Sequence, residues 1–365
     1  FIESSMNKTD NYLDKHRMMN YNISNFIKEY HFMPEKITLI IMSTFLFGIF
    51  FVKISQIIAI KFDIVDRPDS HIKSHKYVTP YLGGLGVILT FFLSFFIFNN
   101  YEIELKNTIE LLSLFSIFLL GLVDDKYNLS IKTRLFIQSL IVVTLLSTGN
   151  IAHLSNIPAF DLAFTFIGII FLINAMNILD ILDGLMSGIL IIILIGLITL
   201  NTVMASNDFY IFLSAILIVT LISFLVYNFN PSSIFLGDAG STFSGLFLAI
   251  IFINTINSST HVSFTFSAFI ALSIPIFELF YVSILRIRKG ISPLHGSKDH
   301  FAIRKIIMGH SVREVVLLTY LITLLTIMAS YISIGQSLEN LLIITTGILI
   351  TFFIFGYSLS KIKIT

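Results

Sequence analysis

Cysteine is missing from the 365 residues. That excludes disulfides, a thiolate nucleophile and any cysteine-ligated zinc site. Charge is scarce as well: only 12% of residues are Asp, Glu, Lys or Arg, against 55% apolar. With a mean hydropathy of +0.89, this balance excludes an ordinary soluble globule. The first residues are polar and mixed in charge, without the apolar core of a secretory signal. Nor do the apolar runs alternate at period two, which excludes a membrane β-barrel. The formal net charge of +1 says little by itself, and nucleic acid is not an expected partner.

What the chain does have is apolar stretches of bilayer-crossing length, about 20 residues each, along nearly its whole course. The expected fold class is an all-α polytopic membrane protein with about eleven transmembrane helices. The spans are placed at 37–60, 82–98, 109–123, 134–148, 159–179, 185–204, 209–227, 239–256, 262–285, 314–334 and 339–358. Residues 37–360 form a single membrane domain in this reading. Residues 1–36 are a poorly ordered tail, and a start at Phe1 with Met6, Met18 and Met19 soon after fits translated upstream sequence.

The loops alternate in character. One set (99–108, 149–158, 205–208, 257–261 and 335–338) carries Lys106 as its only Lys or Arg. The other set carries Lys61, Arg67, Lys73, Lys76, Lys126, Lys132, Arg134, Arg286, Arg288, Lys289, Lys298, Arg304, Lys305 and Arg313. The positive-inside rule makes that second set cytoplasmic. The N-terminus is then outside and the C-terminus inside. Asp124, Asp125, Asp180, Asp183, Asp238 and Asp299 fall on the same inner side. Attraction to anionic lipid explains basic residues there but not acidic ones. Mixed charge beside a membrane suits a magnesium–phosphate site, where Asp holds metal and Lys or Arg holds phosphate oxygens.

The densest stretch is Asn174 to Gly188, NAMNILDILDGLMSG. Asn174, Asn177, Asp180 and Asp183 recur every third residue, which on a helix keeps neighbours within reach along a turning stripe. Two amides and two carboxylates thus gather where a membrane-length helix ends, and Gly184 can break the helix after them. Carboxylates at a bilayer boundary are costly without a partner. A polar ligand or a hard cation is one such partner; a helix end facing water is the plainer alternative.

Other inner loops add to this. HIKSHKYVTPYLGGLG places His75 and Lys76 before a turn and a glycine-rich span. GLVDDKYNLSIKTR sets Asp124 beside Asp125, whose mutual repulsion calls for a cation or a raised pKa; Lys126, Lys132 or Arg134 could supply the cation in a purely structural arrangement, and a metal or a proton-accepting role is the competing reading. NFNPSSIFLGDAGSTFSG puts Asp238 among small residues at the mouth of a span, where a ligand can approach or the carboxylate can simply cap the helix. Pro275, three residues before Glu278, should bend or break its span. The loop that follows offers His295, Asp299, His300, Arg304 and Lys305.

In order, HKYVTPYLGG, GLVDDKYNLS, NAMNILDILDGLMSG, IFLGDAGS and SPLHGSKDHF resemble the polyprenyl-phosphate N-acetylhexosamine-1-phosphate transferase superfamily, of the glycosyltransferase family 4 type. The likeness covers essentially residues 37–358, closest in type to undecaprenyl-phosphate GlcNAc-1-phosphate transferases. It implies transfer of a sugar-1-phosphate from a UDP-N-acetylhexosamine to undecaprenyl phosphate, with release of UMP, for cell-envelope polysaccharide. It implies Mg2+ as cofactor, with Mn2+ as a substitute, membrane lipid around the chain, and a place in the inner membrane; a homodimer stays open. By motif, Asp238 and Asp180 are the implied metal ligands, and Asp124, Asp125 and His300 the implied catalytic groups. Lys76, Asn177, Asp180, Asp183, His295 and Arg304 are the implied substrate-binding groups. HGSKDHF lacks the consecutive histidines of the phospho-MurNAc-pentapeptide branch, and Glu278 stands where the GlcNAc branch usually has aspartate.

Two rivals remain in view. One is the same chemistry with another UDP-N-acetylhexosamine. The other is a secondary transporter, which also uses buried carboxylates and broken helices but places them near the bilayer midplane.

Overall fold

Nearly every apolar run is bounded by a capping or turn residue, and nearly every one becomes a helix. The computed structural model describes residues 34–66, 78–203, 207–293, 296–362 and 364; the expected tail up to residue 33 lies outside the described residues. Thirteen helices and one short antiparallel ladder are found among them. In order they are α1 (Pro34–Lys61), β1 (Val65–Asp66), β2 (Thr79–Pro80), α2 (Gly83–Phe98), α3 (Leu105–Tyr127), α4 (Ile131–Leu146) and α5 (Pro158–Leu179). There follow α6 (Leu185–Val203), α7 (Asp208–Asn228), α8 (Gly237–Asn257), α9 (Val262–Ala271), α10 (Ser273–Arg288), α11 (Phe301–Ile307), α12 (Val312–Ile332) and α13 (Leu338–Ser360). Side-chain caps start several of them: Ser130 accepts from the Thr133 amide, and Ser311 and Glu314 form a reciprocal box at α12.

Eight helices are long and apolar enough to cross a bilayer, and nine if α9 and α10 count as one span bent by 61°. The bend falls at Leu272, so Pro275 sits in the first turn of α10, where its missing N–H breaks no helical bond. Helices α2 and α4 fill the two other expected spans with 16 residues each. At 1.5 Å per residue each reaches about 24 Å, short of a hydrocarbon core of about 30 Å. The all-α polytopic architecture is therefore realised, with two of the eleven expected spans too short to cross upright.

Helix α8 is the centre. Nearly all of it is buried, and it packs on α3, α5, α2 and α6. Its small residues make this possible. A Cβ on Gly121 of α3 would come within 2.6 Å of the Asp238 carbonyl, and one on Gly245 would come within 2.8 Å of the Leu172 carbonyl of α5. Gly84 of α2 faces Gly240 in the same way. The small residues around Asp238 thus bring backbones together, as glycines do between membrane helices. Below them Phe91 of α2 packs edge-on against Phe243 and Phe247.

Two loops are stitched to each other beside the N-terminus of α8. The Pro80 carbonyl accepts from Phe235, while the Gly83 and Gly84 amides donate to Phe235 and Leu236. The ladder pairs Val65 with Pro80 and Asp66 with Thr79. Residues 67–77, Lys76 among them, lie outside the described residues.

Candidate active site

Helix α3 ends with Asn128 in the left-handed region, φ 49°. The chain turns back there, and the Leu129 amide donates to Asp124 Oδ1 at 2.7 Å. This reversal starts α4 three residues later and puts Arg134 in its first turn or so. Arg134 Nη1 donates to Asp124 Oδ2 at 2.8 Å and to Asp238 Oδ2 at 3.3 Å. One guanidinium therefore joins the end of α3 to the start of α8.

Asp125 faces the other way from its neighbour. Its two oxygens accept from the amides of Asp238 at 2.8 Å and Ala239 at 3.1 Å. A carboxylate on the free amides of a helix N-terminus is favoured by both hydrogen bonding and dipole, at about 1.5–3 kcal/mol per charged bond. Gly237 makes the approach possible: it adopts φ +78°, and a Cβ on it would lie 2.8 Å from Asp125 Oδ2. Tyr81 OH donates to the Asp125 carbonyl at 3.0 Å. Burial, then the charges of Asp125 and Asp63, push the Tyr81 hydroxyl above its ordinary pKa, so it stays a donor.

The stripe of four polar residues divides by task. Asn174 donates to Gln138 Oε1 and to its own helix at Ile170. Asn177 Nδ2 donates to Asp238 Oδ1 at 2.6 Å and to Ser241 Oγ at 3.0 Å. Asp183 lies beyond the helix, in the turn before Gly184 (φ +78°). It accepts from Asn230 Nδ2 at 2.8 Å, from the Ser232 amide at 3.0 Å and from the Ser232 hydroxyl at 2.8 Å. Asp180, the C-cap of α5, is different: its carboxylate has no hydrogen bond or ion pair among the described residues. It is only partly exposed. Burial, then the charges of Asp238 and Asp183, push its carboxyl up to about 7.

Asp124, Asn177, Asp180 and Asp238 are thus brought together, with Asp125 immediately behind them. His300 and Arg304 belong to a second cluster. His300 Nδ1 is 2.9 Å from Glu278 Oε1, both side chains buried. Arg304 pairs with Asp299 at 2.9 Å and donates to the Leu359 and Ile362 carbonyls. Lys289 reaches the same Asp299 oxygen at 2.6 Å. This cluster ties the loop before α11 to the end of α13, and no hydrogen bond or ion pair joins it to the aspartate cluster among the described residues. Lys76 and His295 lie outside the described residues.

The side chains that could hold a cation, Asp238 and Asp180, offer carboxylate oxygens, which suit a hard cation of magnesium type, and among the described residues the Asp180 carboxylate has no hydrogen bond or ion pair. No three Asp, Glu or His side chains converge as a closed metal cage among the described residues. Mg2+ does not need one, because it takes one or two carboxylates and leaves the rest to substrate phosphates and water. Of the three candidate counter-ions of the aspartate pair, Lys126, Lys132 and Arg134, it is Arg134 that reaches Asp124.

Beside the second cluster lies a cavity of about 650 Å³ between α9, α10 and α13. Phe266, Ile276, Phe280, Leu349 and Phe353 line it, and Arg288 stands at its site end. The acidic groups of the first cluster sit at helix ends, not at mid-helix as a transporter would place them.

A sequence model of "Glycosyl transferase family 4" matches residues 108–256, the stretch that carries every member of the aspartate cluster. The chain is 33% identical over 276 residues to a Bacillus subtilis protein named "Probable undecaprenyl-phosphate N-acetylglucosaminyl 1-phosphate transferase", covering 73% of this chain and 76% of that one. It is 25% identical over 335 residues to the undecaprenyl-phosphate alpha-N-acetylglucosaminyl 1-phosphate transferase of Yersinia pestis, covering 87% and 90%. The protein of the same name in Escherichia coli K12 is 26% identical over 343 residues, covering 88% and 90%.

Proposed function

The chain belongs to glycosyl transferase family 4, and on that footing we propose that it transfers N-acetylglucosamine-1-phosphate from a UDP-sugar to undecaprenyl phosphate. The products are a lipid-diphosphate-sugar, destined for cell-envelope polysaccharide, and UMP. The observation that carries this reading is the convergence on Asp238, where helices α3, α5 and α8 end or begin: Arg134 joins it to Asp124, Asn177 donates to it, and Asp180 lies within reach of its charge. The names of the relatives supply the sugar and the lipid.

A phosphate oxygen of the acceptor attacks the β-phosphorus of the donor, and the bond to the α-phosphate breaks as UMP leaves. The attacking group is already anionic, so positioning and charge neutralisation carry the catalysis. Asp238 and Asp180 would hold Mg2+, or Mn2+ in its place, which when bound offsets charge on the diphosphate and the departing UMP. Asn177 fixes the rotamer of Asp238 through its 2.6 Å bond. Of the paired aspartates, Asp124 is the one joined through Arg134 to Asp238, and it takes any proton left on the acceptor phosphate. Asp125 positions α8 by holding its first amides. Asp183 holds residues 230–232, and with them the loop leading to Asp238. The aromatic-lined cavity suits the apolar tail of the lipid acceptor, with Arg288 at the level of its phosphate. The basic loops gather at the site end, which supports a cytoplasmic site and an outside N-terminus; the plasma (inner) membrane is the location this reading takes with its lipid acceptor.

The test is UMP release by the purified full-length protein given UDP-GlcNAc, undecaprenyl phosphate and Mg2+. Release that needs all three is the expected result. Faster release from another UDP-N-acetylhexosamine would reassign the donor, and no release from any UDP-sugar would sink the reading.

A further inference from the structure

Both oxygens of Asp238 are engaged by the chain itself. Asn177 holds one, and Arg134 stands against the other while keeping its shorter bond to Asp124. The Arg134 side chain is 30% exposed and that of Asp238 33%, so this charge pair faces the cleft and is not sealed in a core. Asp180, which has no hydrogen bond or ion pair among the described residues, is close enough to feel the Asp238 charge, so a divalent ion held by these two carboxylates would need an Asp238 oxygen that is already taken. A guanidinium there lowers the local negative charge, and two like charges cannot share the spot.

We propose that Arg134 is a resident counter-ion: it stands on the Asp238 oxygen that a metal would use and gives it up when a nucleotide diphosphate arrives with the metal. The idea rests on the function proposed above. Arg134 is well built for the exchange. Its 2.8 Å bond to Asp124 anchors one nitrogen, the 3.3 Å contact to Asp238 is the weaker of the two, and a guanidinium presents further N–H groups in a planar fork that matches phosphate oxygens. Released from Asp238, the same group turns those donors to the diphosphate. Metal and nucleotide then load together, and a free protein does not collect divalent ions it has no use for.

The experiment measures Mn2+ binding to the purified full-length protein by electron paramagnetic resonance, first with Mn2+ alone and then with UDP added. Removing the cation in Arg134→Gln should tighten binding of Mn2+ alone by about tenfold, and should weaken binding of UDP in the presence of Mn2+. Arg134→Lys keeps a charge and should hold Mn2+ alone near the wild-type value, which guards against a variant that merely misfolds. Unchanged or weaker binding of Mn2+ alone in Arg134→Gln overturns the counter-ion role, and unchanged UDP binding overturns the handover. The metal-only arm needs no sugar nucleotide and no turnover. A protein that shows it yet releases no UMP from any UDP-sugar would refute the proposed function and leave the counter-ion intact.

Discussion

At the scale of single residues, the two members of the aspartate pair make different contacts although they are neighbours in the chain. Asp125 holds the first amides of the helix that carries Asp238, and Asp124 is paired with Arg134. Asp238→Ala leaves the Asp125 bonds to the α8 backbone in place. We expect turnover to fall by about a thousandfold or more, with the thermal unfolding profile in detergent close to wild type; near-wild-type UMP release would refute the role. Asp299 gives a stability prediction. Burial raises its pKa, but the hydrogen bond and charge of Lys289, with Ser297 and Arg304, outweigh that and hold the carboxyl below the ordinary range. A depressed folded-state value stabilises above the unfolded value of about 3.9 and loses that contribution as pH falls through the folded one. Asp299→Asn should therefore cost about 3 kcal/mol at pH 7, with wild type and variant converging below pH 4 in denaturation curves. The motif residues were legible because a polar group at the end of an apolar run has few reasons to be there. Their division of labour was not, because the partners of Asp125 and Asp183 lie far along the chain.

At the scale of elements, glycine placement decides what the site looks like. Gly121 lets α3 lie against the first turn of α8, and that contact sets the separation of Asp124 from Asp238. Gly121→Leu should force the helices apart, lower stability by about 1–3 kcal/mol and depress turnover, whereas Gly121→Ala should do less of both. Thermal unfolding and UMP release measured on the same preparations would check it, and an unchanged melting profile for the leucine variant would count against the packing argument. Element identity was readable from apolar run length, and Pro275 correctly announced a break. The site of that break was not readable, since the chain bends at Leu272 and lets the proline begin the next helix. The shortness of α2 and α4 was hidden too, because an apolar run does not say where its helix stops.

At the scale of the whole molecule, the polar site lies at one end of the bundle, and the positive-inside rule assigns that end to the cytoplasm. The absence of cysteine makes the assignment easy to check with single introduced thiols. Lys126→Cys is exposed at the site end and Asn156→Cys at the opposite end. In intact cells a membrane-impermeant maleimide should label only the second, and disruption of the cells should expose the first. The reverse pattern would invert the topology.

The burial of α8 has a further consequence for how the protein is made. Four of its main neighbours, α2, α3, α5 and α6, leave the ribosome before it does. A segment lined with serine, threonine and glycine has little to gain from lipid, but it enters a cradle already assembled from earlier segments. Biosynthesis thereby delivers Asp238 last, into a ring of groups that is waiting for it.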